Sequence, residues 1–476
     1  MRFADFKEKQ LDPDSSAYLI IALLILICSF IGIATRPTGY LAFLWPANAA
    51  LLAFFLRFPQ LNNKGGWLGA FSAYMFADLL TGDFFLQSFF LTLSNLLSTI
   101  VSLFCIRYFK INYKYYNSGF TFIHLFGICA FAGCLASAAF AVITLVNIPG
   151  SFITPENMKT DFFLWWTGEM VNYIIILPLV LAFPTAKQIR YFAKNRRKKS
   201  YSFSYFLPMI TVAVCVVLTH IFAGPGALIY PLAALIWAAL TYRIFTISII
   251  NTLVLITTYS SLTQIYLADQ TLADSTTFVS LRIGLFMLAL APLILCIISQ
   301  NRNELYKHVL YLANYDSLTR TMNRHYFFKE GESLLKQSRK LSFSLIMLDI
   351  DYFKRLNDQY GHHVGDAVLQ QFSELVRTNL RSCDLFARIG GEEFVVLMWD
   401  IEHDEAHWVA ERIRELVQQT PIYLEHGKSV HITVSLGITH QEAPQQTELQ
   451  DLINIADQAL YQAKRGGRNR CDASWE

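Results

Sequence analysis

Ten apolar stretches, each approaching the length needed to cross the roughly 30 Å hydrocarbon core of a bilayer, recur between Ala17 and Ser299. They run over about 17–35, 40–57, 66–82, 86–107, 119–146, 162–184, 205–223, 227–241, 244–266 and 280–299. So much unbroken apolar sequence cannot be hidden inside a water-soluble globule. The expectation is a multi-span α-helical membrane bundle over 17–299, of ten spans, with eight as the alternative count because 227–241 is short. The first run lacks a small-residue cleavage site and reads as an uncleaved span after a tail of residues 1–16.

Charge divides the chain at the same place. Residues 1–299 carry 19 Lys and Arg against 11 Asp and Glu, whereas residues 300–476 carry 20 against 25. The basic excess thus belongs to the apolar part, which argues against a nucleic-acid partner driven by bulk positive charge. With the N-terminus inside, 16 of the 19 basic residues fall in inner segments, including the run Arg196, Arg197, Lys198, Lys199. The positive-inside rule then places both the N-terminus and the C-terminal part in the cytoplasm of a multi-pass membrane protein. Six of the eight cysteines lie in apolar runs and none forms a C-x-x-C pair, so neither a disulfide framework nor a zinc site is expected.

Polar residues inside the apolar stretches are costly against lipid. Asp78, Glu169 and Asn172 therefore face the bundle interior, either as a site for an unknown sensed ligand or proton, or as interhelical hydrogen-bonding groups. The connector, residues 300–313, is polar but spaces Leu305, Val309 and Leu312 four and three apart. That spacing reads as a helical stalk whose apolar seam either pairs with a second copy or packs on its own domain.

Beyond it, LSFSLIMLDIDYF (341–353) is a buried-strand pattern ending in Asp349 and Asp351, and residues i and i+2 of a strand share a face. DLFARIGGEEFVVLMW (384–399) reads as two strands joined by a turn, with Gly390 and Gly391 supplying positive φ and Glu392 and Glu393 at the tip. Pairing these strands would bring three or four carboxylates to one sheet end, a hard oxygen set suited to Mg²⁺ with a phosphate substrate. Phe353 and Lys354 follow the acidic strand, where a turn into a helix presents backbone amides to phosphate. Lys464 and Arg468, four apart, either grip a triphosphate or form a solvated helix face, while Asn357 and Asp366 offer the donor and acceptor pattern of a guanine reader.

In order, DSLTRTMNR (316–324), DIDYFKRLND (349–358), GHHVGD (361–366), RIGGEEF (388–394), SLGIT (435–439) and ALYQAKRGGRN (459–469) closely resemble the GGDEF family of diguanylate cyclases. The likeness covers about 313–474, and the domain is assigned to 314–476. LWPANAALLAFFLRF (44–58) and WWTGEMVNYIIILPLVLAF (165–183) make the membrane half similar to the first family of bacterial membrane-associated sensor domains, the MASE type.

The GGDEF resemblance implies an α/β cytoplasmic domain with a palm-like sheet, similar to nucleotide cyclases, that condenses two GTP into cyclic di-GMP. By matching position, Asp349, Glu393 and the carbonyl of Ile350 would bind Mg²⁺, with Mn²⁺ as the alternative ion. Glu392 would help deprotonate the attacking 3′-hydroxyl or hold a second metal. Asn357 and Asp366 would read guanine; Phe353, Lys354, Lys464 and Arg468 would hold phosphates. Because each domain supplies one GTP, the family works as a homodimer. Arg381 and Asp384, at the family's offset before GGEEF, imply product inhibition by cyclic di-GMP, with Arg412 as a secondary contact and Arg388 as a structural residue. GGEEF in place of GGDEF leaves the chemistry intact, and Arg320 stands where a glycine is more frequent. A catalytically silent receptor for cyclic di-GMP is the alternative function, and a transporter with an appended domain is a third class.

Overall fold

The computed structural model describes residues 12–35, 44–113, 120–195, 202–222, 224, 226–268, 275–337, 341–424, 429–442 and 448–475. The basic run at 196–199, most of the N-terminal tail and the start of the second apolar stretch lie outside the described residues. The chain divides into two compact units, Met1–Asn303 and Glu304–Glu476.

The first unit is helical: α1 (Pro13–Ala34), α2 (Ala47–Arg57), α3 (Lys64–Leu80), α4 (Phe85–Tyr108), α5 (Thr121–Gly127), which runs through a π-helical turn into α6 (Cys134–Leu145), α7 (Met158–Leu181), α8 (Ala186–Asn195), α9 (Leu207–Ile221), α10 (Leu232–Thr241), α11 (Ile244–Ala268) and the part of α12 (Ser275–Asn314) up to Asn303. Among the described residues, six helical segments are long and apolar enough to cross a membrane, beginning at Pro13, Phe85, Thr121, Met158, Ile244 and Thr276. The apolar helices at Ala47–Arg57, Leu207–Ile221 and Ala227–Thr241 are shorter. Close packing uses glycine where backbones meet: a Cβ on Gly65 would lie 1.8 Å from the Asp14 carbonyl, and one on Gly69 2.5 Å from that of Tyr18, so α3 lies directly on α1. Leu19, Leu23 and Ile27 on α1 stay exposed, the outward face a bilayer would cover. The connector residues belong to α12, which has no break between Ser275 and Asn314.

In the second unit the elements run β1 (Met322–Asn323), α13 (Arg324–Gln337), β2 (Phe343–Ile350), α14 (Phe353–Tyr360), α15 (His362–Thr378), β3 (Leu385–Arg388), β4 (Glu393–Trp399), α16 (His403–Gln419), β5 (Ile422–Tyr423), β6 (Ser429–Val430), β7 (Val434–Gln441), α17 (Leu449–Arg465) and β8 (Cys471–Trp475). Six strands form a mixed sheet in the order β1-β3-β4-β2-β7-β8. Every residue of β2 is buried, as a central strand covered on both faces requires. Its side chains alternate between two cores. Ile346, Leu348 and Ile350 join Phe372, Val376 and Ile413 of α15 and α16. Leu345 and Met347 join Phe327 of α13 and Leu452, Ala456 and Leu460 of α17. Asp349 follows the second set by parity, toward α17.

Gly437 explains why SLGIT carries a glycine: a Cβ there would lie 2.1 Å from the Ala456 carbonyl, so α17 rests on the β7 backbone. Arg320 has φ 56°, a left-handed conformation that glycine adopts without a Cβ clash, which accounts for the preference noted at that position.

Candidate active site

The site is built at the sheet end where β2 stops. Asp349 pairs directly with Glu393 across the antiparallel β2–β4 ladder, so their side chains share a face with Cβ atoms about 4.5–5.5 Å apart. Lys464, in the last turn of α17, places its ammonium 2.8 Å from Asp349 Oδ2. Burial raises the Asp349 carboxyl above its ordinary range; Lys464 opposes the shift and the charge of Asp351 adds to it. Glu392, at the turn before β4, is raised as well, by burial first and then by the charge of Asp349, against Lys464.

Two expectations about this end are corrected. Asp351 does not join the carboxylate set. The strand ends at Ile350 and Tyr352 turns left-handed at φ 57°, so the i, i+2 rule no longer holds. Asp351 accepts hydrogen bonds from Thr433 Oγ1 (2.7 Å), Ser435 Oγ (2.7 Å) and the Asn469 amide (3.0 Å), and thereby fastens the loop after α17 to the end of β2. Among the described residues, no three His, Cys, Asp or Glu side chains converge as a metal cage. Asp349 and Glu393, opposed across the ladder with one ammonium beside them, still fit a hard cation that also takes ligands from a phosphate substrate.

Gly390 and Gly391, moreover, are absent from the positive-φ glycines, which among the described residues are Gly82, Gly150, Gly361 and Gly467. Gly390 serves approach instead: a Cβ would meet Glu393 Oε2 at 2.4 Å. The hairpin is held from outside by Arg388, whose Nη2 donates to the Gly391 carbonyl (2.7 Å) and whose Nη1 pairs with Asp316 (3.1 Å). Burial works to raise Asp316, yet the Thr319 amide and hydroxyl and the Arg388 guanidinium outweigh it and hold this carboxyl below its ordinary range. The DSLTR turn is therefore the brace of the GGEEF hairpin, a role visible only once Arg388 is seen to reach across.

Phe353 and Lys354 open α14, whose N-cap Tyr352 makes no side-chain cap, so the first amides of the helix are not satisfied by a capping side chain. Arg468 lies past the end of α17 at φ 64°, its guanidinium 4.6 Å from the Tyr352 ring centroid. Asn357 sits in α14 and Asp366 in α15. Asn357 Oδ1 is buried with no hydrogen-bond partner among the described residues. Gly365 makes that position available, because a Cβ would fall 1.9 Å from this oxygen. Tyr352, Gly365 and Asp316 were not singled out from sequence. Each had a signal in the quoted motifs, a residue between acid and helix, a second glycine, an isolated Asp, but the signal names no partner.

Away from this end, the Arg381 amide donates to Asp384 Oδ2 (2.8 Å), and the Arg381 guanidinium reaches Glu405 at 3.7 Å. Burial raises the Asp384 carboxyl against the pull of Arg381. Arg412 stacks on Trp408 and donates to the Asn379 carbonyl (2.6 Å), two residues before Arg381.

In the membrane unit Glu169 accepts from Asn48 Nδ2 (2.8 Å), Ser137 Oγ (2.8 Å), Trp165 Nε1 (3.0 Å) and Ser98 Oγ (2.9 Å). Asn172 bonds the Trp45 amide and the Gly168 carbonyl. Glu169 thus ties α2, α4, α6 and α7 together. Asp78 is buried in α3.

Raised carboxyls carry a testable cost. Glu392 binds its proton more readily folded than unfolded, so its contribution to stability is present below the ordinary carboxylate range and is lost as pH rises through the raised value. Glu392→Gln is expected to raise the urea midpoint of metal-free protein at about pH 7, with the gap to the parent closing toward about pH 4. A gap that stays constant over that range would contradict the shift.

Residues 313–470 match the family described as diguanylate cyclase, GGDEF domain, and residues 17–303 match MASE1. A probable diguanylate cyclase, DgcF of Escherichia coli O157:H7, is 28% identical over 98% of this chain and 96% of its own length. The response regulator PleD of Caulobacter vibrioides is 40% identical over 35% of this chain and 37% of its own. Among solved structures, the coiled coil and GGDEF domain of DgcB from Caulobacter crescentus, in complex with c-di-GMP, is 28% identical, covers 37% of this chain and 93% of its own, and has a TM-score of 0.35. GGDEF diguanylate cyclases generally use a divalent metal. The chain, with its multi-span MASE1 membrane domain and C-terminal cyclase domain, belongs to the membrane-bound GGDEF family of diguanylate cyclases.

Proposed function

We propose that the protein condenses two GTP into cyclic di-GMP and two pyrophosphates at the inner membrane, as a homodimer, with its N-terminus and cyclase domain in the cytoplasm. The observation that carries this reading is the meeting of Asp349, Glu393 and Lys464 at one sheet end.

Asn357 Oδ1, lacking a protein partner among the described residues, accepts from the guanine edge, with Asp366 as a second acceptor. The opening amides of α14 at Phe353 and Lys354 bind phosphate, and Lys464 moves from Asp349 to the β- and γ-phosphates together with Arg468. Asp349, Glu393 and the Ile350 carbonyl would hold Mg²⁺, or Mn²⁺, which neutralises phosphate charge and orients the α-phosphate. Glu392, made more basic by burial and by Asp349, takes the proton of the 3′-hydroxyl. That oxygen bonds to the α-phosphorus of the GTP held by the second copy as the bond to pyrophosphate breaks, and the same exchange in the opposite direction closes the ring. Half-sites on two copies must face one another, and exposed Leu305, Tyr306, Val309 and Leu312 on the stalk portion of α12 offer the apolar seam that pairs them.

Purified full-length protein with GTP and Mg²⁺, analysed by mass spectrometry, tests the reading: cyclic di-GMP is expected. No product, even with a constitutive dimerisation helix fused to the chain, would favour the silent receptor. Product feedback is read at Arg381, Asp384 and Arg412. Arg381→Ala should leave the initial rate unchanged while abolishing the decline in rate as product accumulates. A decline identical to the parent's would remove this turn from regulation.

A further inference from the structure

Thr185 and Gln188 start α8 by local chemistry. The Thr185 amide donates to Gln188 Oε1 (2.8 Å) and the Gln188 amide to Thr185 Oγ1 (3.4 Å), a reciprocal capping box that sets the first turn without help from a neighbouring helix. Pro184 lies in the break between Leu181 and Ala186, so α8 does not continue α7. The described side chains of α8, Ala186 to Arg190 with Ala193 and Lys194, are all exposed. A helix of ten residues is marginal in water by itself, because its few hydrogen bonds barely offset the cost of the first turn. With no described side chain laid on the bundle, α8 keeps its form only where something else covers one side.

Its sequence, AKQIRYFAKN, sorts by side. The helical period puts Lys187, Arg190 and Lys194 within roughly 60° of one another, and positions 189, 192 and 193, all apolar in the sequence, roughly 140° away. Among the described residues none of the three basic side chains is in an ion pair. The sequence then runs directly into Arg196, Arg197, Lys198 and Lys199. The end of α7, just before α8, has the character of a lipid–water boundary. Arg57 donates there to the carbonyls of Val180 (2.5 Å), Leu181 (2.9 Å) and Phe183 (2.6 Å), and its guanidinium lies over the exposed Phe183 ring. The distribution of basic residues puts this end on the cytoplasmic side.

The surface adjoining this boundary is the bilayer itself. An amphipathic helix lies in the plane of the interface, its apolar side at the acyl boundary and its basic side among the headgroups, and anionic headgroups answer the basic charge. We propose that α8 is an interfacial helix that binds the anionic headgroups of the cytoplasmic leaflet through Lys187, Arg190 and Lys194, with Ile189 on the side that meets the acyl chains. An acidic protein surface, for which residues 300–476 have the charge, would answer the basic side alone. The lipid interface answers both sides, and it is continuous with the lipid around α7. Anionic lipid thereby becomes a partner of the membrane unit, bound next to the helix that carries Glu169.

Amide hydrogen exchange of the full-length protein tests this without reference to turnover, in nanodiscs of phosphatidylcholine alone and in nanodiscs with phosphatidylglycerol as about a third of the lipid. Amides of 186–195 are expected to exchange at least about tenfold more slowly on the anionic discs, and salt at about 0.5 M should shrink the difference. Lys187→Gln, Arg190→Gln and Lys194→Gln combined should abolish it, while the basic run at 196–199 stays in place to hold the orientation. Ile189→Ser alters no charge and keeps the test open if the triple variant inserts wrongly; it should speed exchange on the anionic discs about fivefold. Equally slow exchange on both lipids would put a protein surface over α8 and overturn the proposal. Equally fast exchange on both, or parent-like protection in either variant, would overturn it too.

Discussion

Glu393→Gln will lower cyclic di-GMP production by more than about a hundredfold while leaving the protein inserted in the membrane and folded. The expectation follows from register. Glu393 is the β4 residue directly opposite Asp349, so on the proposed reading a neutral amide removes one of the two carboxylates that would hold the metal. The change is nearly isosteric, and Gly390 leaves room for the side chain, so the hairpin braced by Arg388 should persist. Product formation by mass spectrometry, beside melting curves of parent and variant, separates chemistry from folding. Turnover within a few fold of the parent would overturn the metal assignment.

Asp351→Ala, by contrast, is expected to act on the fold as much as on catalysis. Three donors converge on this buried carboxylate, from Thr433, Ser435 and the Asn469 amide, and truncation leaves them without their acceptor. Hydrogen bonds to a charged acceptor contribute about 1.5–3 kcal/mol each and do not add fully, so a loss of roughly 3–4 kcal/mol in the cyclase domain is expected. The loop carrying Arg468 loses its anchor at the neighbouring Asn469, so the KM for GTP should rise as well. Urea denaturation monitored on the cyclase domain, with initial rates at varied GTP, reads both effects. An unchanged midpoint would show that the three donors find other partners.

Asp349 and Asp351 stand two residues apart and look equivalent in sequence, yet one lies beside Lys464 and opposite Glu393 and the other holds the scaffold. Strand periodicity assigns both to one face only while the strand continues. It stops at Ile350, and left-handed Tyr352 diverts the chain. A local rule could not see this, because the end of β2 is fixed by partners far along the chain, among them Thr433, whose carbonyl accepts from the Asp351 amide. The same limit applies to the glycines. Gly390, Gly365 and Gly437 are required by what approaches them, Glu393, Asn357 and the backbone of α17, and not by their own φ.

The sequence by itself determined the division into an apolar helical half and a charged α/β half, the strands at 343–350 and 393–399, and the ordered motifs that mark the family. Those features are local: apolar length, period-two alternation and short motifs are written in neighbouring residues. The tertiary structure alone decided which acids meet, that Asp316 braces the hairpin through Arg388, and that Glu169 joins four helices. Each depends on contacts between residues tens to hundreds of positions apart, and no periodicity in the chain encodes such a distance.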